Sequence, residues 1–171
     1  MQKEKGVLSL LRWTIPYLEK DEDSIFIFAG GGDYAKKLKK EAQKYSVSNR
    51  IVFTGNVEID DAPNFYQLGN VFVTNSHMET QGLTYMEAMA SGIPLLVAKD
   101  ECLVDVIEDK KNGFLFENKK DYLKQLDFVL NNDMSPIIKE QLEKVKEYES
   151  RKYIKKMVSL YYETISKSKK I

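Results

Sequence analysis

The sequence predicts an α/β fold, a parallel sheet with helices on both faces. Short apolar runs of strand length alternate with segments of helical period, and the connections between them are a few residues long. The run SIFIFA, which ends in three glycines, has the compact apolar character of a strand buried on both faces of such a sheet.

The elements follow in order. GVLSLLRWTIPYLEK places Val7, Leu10, Leu11, Trp13, Thr14, Ile15 and Leu18 at helical spacings, with Pro16 expected to bend the helix. SIFIFA is the first strand and YAKKLKKEAQKYS a helix. RIVFTG is the second strand, DAPNFYQLG a short helix and NVFVTNS the third strand. LTYMEAMASG is a helix stopped by Gly92, with Pro94 just beyond. IPLLVAK is the fourth strand, ECLVDVIEDKKNG a short helix with a turn, and GFLFENK the fifth strand. The remainder, from about 120 to 167, reads as helix broken near Asn131 to Pro136. The architecture is Rossmann-like, and in such sheets ligands bind at the loops leaving the carboxyl ends of the strands.

At 171 residues and 43% hydrophobic composition the chain suits one domain with one good core. Its 26 Lys and Arg balance 26 Asp and Glu, so no global field attracts nucleic acid or an anionic membrane, and any anion must be held locally. One cysteine, Cys102, excludes an internal disulfide and reads as a small packing residue; one histidine, His77, excludes a His-rich metal cluster. No stretch reaches the roughly 18 apolar residues of a spanning helix, and a cytoplasmic setting is expected.

Two loops draw attention. Gly30, Gly31 and Gly32 do not fit a G-x-G-x-x-G pattern; they read as a tight strand-to-helix turn with Asp33 at or near the N-cap, or as a close backbone approach to a ligand. In ETQGLTYMEAMASG, residues Gly82, Leu83 and Thr84 sit where a helix begins, and free N–H groups at the positive end of a helix dipole favour phosphate. Glu79 and Glu87 flank that position without occupying it. Carboxylates accept hydrogen bonds from sugar hydroxyls, so a nucleotide diphosphate sugar would satisfy the arrangement. Thr84-Tyr-Met-Glu87 also matches a capping box, in which Glu87 only closes the helix start, and Glu79 reads equally as a solvated loop acid.

The segment TNSHMETQGLTYMEAMASGIPLLVA resembles the donor-binding motif of glycosyltransferase family 4, retaining enzymes of the GT-B fold, in the spacing of its two glutamates and in E-A-M-A-S-G-x-P. FIFAGGGDYAKKLKKEA, NRIVFTGNV and KNGFLF resemble further units of the same family, so the resemblance covers nearly the whole chain. It implies that Glu87 binds the ribose hydroxyls and Glu79 those of the transferred sugar. Gln81, Gly82, Leu83 and Thr84 would serve the diphosphate and sugar. Gly55, Asn56 and Val57 would lie against the base, and Lys5 would neutralise the leaving diphosphate. His77 falls near the donor and reads as a phosphate or sugar contact, or as a histidine without a role. The implied reaction places the incoming acceptor on the face the leaving group departs from, through an oxocarbenium-like sugar, and no metal or other cofactor is implied.

The resemblance also carries departures. The family's arginine before the KEKG lysine, its first strand and its N-terminal acceptor domain have no counterpart here, so this chain is expected to be the C-terminal half of a two-domain enzyme, inactive in transfer by itself. E-T-Q-G-L-T resembles bacterial diacylglycerol glucosyltransferases, which implies UDP-glucose, a lipid acceptor and a peripheral position at the inner membrane face for the full enzyme. The helix KYIKKMVSLYYETI, with Ile154, Met157, Val158, Tyr161 and Ile165 on one side, reads as core or as contact with the missing domain. Two other classes stay open on the residues alone: a Rossmann-type phosphate or nucleotide-binding regulatory module without transfer chemistry, and a structural domain in which ETQG is only a loop.

Overall fold

The computed structural model describes residues 6–76, 82–100 and 106–148. Its first helix, α1 (Val7–Lys20), buries Leu10, Leu11, Thr14, Ile15 and Leu18, a stripe one helical turn apart. Pro16 lies inside α1 on its exposed side, so the backbone bond it cannot donate is lost toward solvent and the helix continues past it. The end of α1 is tied down from a distance: the Arg50 guanidinium donates to the Asp21 carbonyl at 2.6 Å and also to the carbonyl of Leu18.

Strand β1 (Phe26–Ala29) pairs in parallel with β2 (Ile51–Gly55), and helix α2 (Ala35–Ala42) connects them. A short 3-10 turn, Ile59–Asp61, leads into α3 (Ala62–Gln67), followed by β3 (Phe72–Thr74), α4 (Leu83–Ala90) and β4 (Leu95–Ala98). Strand β5 (Phe114–Phe116), α5 (Lys119–Asn131), α6 (Ser135–Val145) and a 3-10 turn to Tyr148 complete the described chain. Every strand pair is parallel: β1 with β2, and β4 between β3 and β5. Among the described residues the strands form a two-stranded and a three-stranded sheet, so every strand but β4 keeps an unpaired edge.

One core holds both sheets. Leu10, Leu11, Ile15 and Leu18 of α1 pack with Phe26, Phe28 and Ile51 from the first sheet and with Leu96, Ala98, Phe114 and Phe116 from the second. A second cluster on the opposite face joins Tyr85, Ala88 and Met89 of α4 to Leu95 and Val97 of β4. Strand β4 is therefore buried on both faces, as an interior parallel strand should be.

One expectation is corrected. Strand β1 is buried on one face only: Phe26 and Phe28 point into the core, while Ile25 (61%) and Ile27 (38%) are exposed, as is Val52 (42%) of β2. The helices that cover this sheet, α1 and α2, lie on the Phe26 and Phe28 side. Residues 106–112 form the turn expected in this segment, and 101–105, where its short helix was expected to begin, lie outside the described residues. The Asn112 side chain accepts from the Glu108 N–H at 2.7 Å and donates to the Val106 carbonyl at 3.0 Å, offering the backbone partners that a helix would otherwise supply. Tyr34 holds the N-cap position of α2, with Asp33 just before it, near the cap as expected, and the N-cap side chain makes no capping bond. Cys102 and the segment 149–171, with the expected last helix, lie outside the described residues.

Candidate functional site

The carboxyl ends of β1, β2 and β3 open on one edge. Helix α1 starts beside Asn75, at the end of β3, and finishes where the chain turns into β1, so it runs antiparallel to both strands. At its start Gly6 has φ +59°, and a Cβ there would drive into the Asn75 carbonyl and sit 2.8 Å from its side-chain nitrogen. Only glycine allows that approach. It fixes the residue next to Lys5 against the loop that leaves β3.

On the same edge the two glycine loops meet. The Gly30 N–H donates to Thr54 Oγ1 at 3.2 Å, and that hydroxyl donates on to the Gly55 carbonyl at 3.0 Å. The register of β1 against β2 shifts between Phe28 and Ala29, bringing Gly30 opposite Gly55, and the Gly31 backbone lies directly against the Asn56 side chain. Gly30, Gly31, Gly55 and Asn56 thus form one wall, with Asn56 exposed and half-buried Val57 following at its rim.

Helix α4 follows the loop that leaves β3. Gly82 holds its N-cap position with φ +61°, and among the described residues no side chain caps the helix. The first N–H groups of an uncapped helix are donors that an anion can take, helped by the helix dipole. Leu83 and Thr84 open the helix, so Glu87 stands fifth in it rather than third. The capping-box reading of Thr84 and Glu87 is therefore wrong: the carboxylate is too far along to reach back to the N-cap. Instead Glu87 Oε2 accepts a 2.9 Å hydrogen bond from Tyr66 Oη of α3. Burial first, and the Glu87 carboxylate second, push the Tyr66 phenol above its ordinary range, so it stays a donor at neutral pH.

Lys5, His77, Glu79 and Gln81 lie outside the described residues. The described candidates, Gly30, Gly31, Gly55, Asn56, Val57, Gly82, Leu83, Thr84 and Glu87, all sit at strand ends or at the start of α4. Sequence reasoning missed three residues that shape the site: Gly6, Thr54 and Tyr66. Gly6 stood beside the singled-out Lys5, but its contact is with Asn75, far along the chain. Nothing local in FYQLG distinguishes Tyr66 from a core aromatic.

Chemically, the edge offers uncapped helix N–H groups for an anion, one carboxylate one turn further on for hydroxyl donors, and a narrow wall of backbone. Residues 1–152 match the family profile described as "Glycosyl transferases group 1". The chain belongs to this glycosyltransferase family. It is 31% identical over 170 residues to the alpha-monoglucosyldiacylglycerol synthase of Acholeplasma laidlawii, an alignment covering 98% of the chain and 43% of that relative. The chain thus spans less than half the length of this curated relative. Among solved structures, the C-terminal domain of the group 1 family protein LpcC from Francisella tularensis superposes with a TM-score of 0.76 at 23% identity, covering 85% of this chain and 80% of that one. The pneumococcal O-GlcNAc transferase GtfA, solved with UDP and GlcNAc, gives 0.83 at 22% identity over 96% of this chain and 34% of its own. This glycosyltransferase domain has the fold of the C-terminal half of GT-B enzymes, parallel strands flanked by helices.

Proposed function

We propose that this domain binds the nucleotide diphosphate sugar donor of a retaining hexosyltransferase, with UDP-glucose as the donor and a membrane lipid such as diacylglycerol as the acceptor. The observation that carries the reading is the Glu87 carboxylate, held inside α4 beside an uncapped helix start instead of capping it. The diphosphate takes the N–H groups of Gly82, Leu83 and Thr84, and Glu87 accepts from the ribose hydroxyls. Gly55, Asn56 and Val57, backed by Gly30 and Gly31, lie along the base. In this reading Glu79 and Gln81 hold the transferred sugar and His77 the phosphates. Lys5 neutralises the leaving diphosphate, and charge developing there meets fixed donors without reorganisation. The name of the Acholeplasma relative supports the choice of glucose and lipid, and UDP in the GtfA complex supports the nucleotide. No metal is required by this scheme. We further propose that the 171 residues form one donor-binding domain, that acceptor binding and transfer need an acceptor half outside them, and that the full enzyme works in the cytoplasm, peripheral to the inner membrane face.

Calorimetric titration with UDP and UDP-glucose tests the reading. Saturable binding is expected in the presence of a chelator, and Glu87→Ala should weaken UDP by about 10-fold or more, as loss of a hydrogen bond to a charged group costs roughly 1.5–3 kcal/mol. Absence of saturable UDP binding, or binding indifferent to Glu87→Ala, would refute it. Binding that requires only the phosphates would favour a regulatory phosphate module.

A further inference from the structure

A glutamate on an exposed helix face, left free, samples many rotamers, and a ligand that needs it in one position must order it. Glu87 is exposed, yet Oε2 is already held by Tyr66 Oη at 2.9 Å. Tyr66 belongs to another element, α3, and its ring meets Phe72 of β3 edge-on, centroids 5.5 Å apart at 61°. The same ring packs against the cluster built from Tyr85, Ala88 and Met89 of α4. The tyrosine is thus anchored to the sheet and to the helix that carries Glu87, and its hydroxyl is the one part that reaches the site.

We infer that Tyr66 is a positioning residue: it fixes Glu87 Oε2 so that Oε1 is presented, already ordered, to the vicinal hydroxyls of the nucleoside. The inference rests on the reading of Glu87 as the ribose ligand. One carboxylate oxygen is spent on the protein and the other is aimed at the ligand, a division that a lone surface glutamate does not have. A short helix such as α3, whose six residues begin with Ala62 and Pro63, gains a role it would not have as a mere connection. It holds the acid of the neighbouring helix.

Tyr66→Phe keeps the ring and removes only the hydroxyl. The test compares UDP, 2′,3′-dideoxy-UDP and inorganic pyrophosphate as ligands of the full chain, wild type and variant, by calorimetry. Tyr66→Phe should weaken UDP about 2- to 12-fold, the cost of ordering one long side chain. Dideoxy-UDP and pyrophosphate, which offer Glu87 no hydroxyl, should bind the variant as they bind the wild type. In a Glu87→Gln background Tyr66→Phe should add much less, because the two residues act through one another. Equal weakening of all three ligands would make the hydroxyl a structural support only and overturn the inference. Unchanged or tighter UDP binding would overturn it too, the latter by showing that Tyr66 competes with the ligand. A wild type with no preference for UDP over dideoxy-UDP would sink the reading of Glu87 itself, whereas a preference left undiminished by Tyr66→Phe would sink only the role of Tyr66.

Discussion

The contact that joins the first and fifth helices can be taken apart by a double-mutant cycle. Thr14 (4% exposed) and Tyr122 (0%) meet in the core, Oγ1 to Oη at 2.7 Å. The Thr14 hydroxyl donates its only hydrogen to the Leu10 carbonyl one turn back, at 2.9 Å, so Tyr122 must be the donor across the helix interface. Burial, partly offset by Thr14, pushes the Tyr122 phenol up and keeps that proton in place. Tyr122→Phe removes the donor and leaves Thr14 still bonded to Leu10, a loss of about 0.5–1.5 kcal/mol. Thr14→Val strands the buried phenol without an acceptor and should cost more, about 1–3 kcal/mol. In the double variant both partners are apolar, so it should be no less stable than Thr14→Val alone, with a coupling of about 1 kcal/mol. Urea denaturation of the four proteins measures each corner, and 1 kcal/mol corresponds to roughly 2–4 °C in Tm for a chain of this size. Additive costs, or Thr14→Val milder than Tyr122→Phe, would refute the assigned direction of the bond.

Two further outcomes follow from the geometry. Gly6→Ala meets both a left-handed backbone and the Asn75 carbonyl, and should destabilise by about 2–5 kcal/mol, the sum of conformational strain and overpacking; a denaturation midpoint like that of the wild type would contradict the close approach. Glu41, pinned first by the Lys44 ammonium at 2.5 Å and then by the Arg12 guanidinium at 2.8 Å, has its carboxyl lowered from 4.5 to about 2. A lowered folded pKa stabilises above the unfolded value, so this contribution is present above about pH 4.5 and is lost as the pH falls from there through about 2. Denaturation midpoints of wild type and Glu41→Gln should therefore converge across that window, and parallel curves would show that the clamp between α1 and α2 carries no such linkage.

How much of this was legible in the sequence depends on whether a feature is local. The alternation of strands and helices was, because an interior strand such as LLVA and a stripe such as Leu10, Leu11, Thr14, Ile15 and Leu18 write their burial into their own residues. Strand β1 was not: IFIF looks the same whether its second face is covered or bare, and the answer belongs to its neighbours. The site shows the same division. The spacing of Glu87 from the helix start was legible, and so were the glycines at the strand ends. Whether Glu87 caps the helix depends on which residue is the N-cap, and a left-handed Gly82 places the helix start where Glu87 cannot reach back. The capping reading of Glu87 was thus decided by one backbone angle, and the acid is held by a tyrosine twenty-one positions earlier in the chain. A motif can specify that a carboxylate stands near a helix start; only the packing of α3 against α4 specifies which of its two oxygens the protein itself takes.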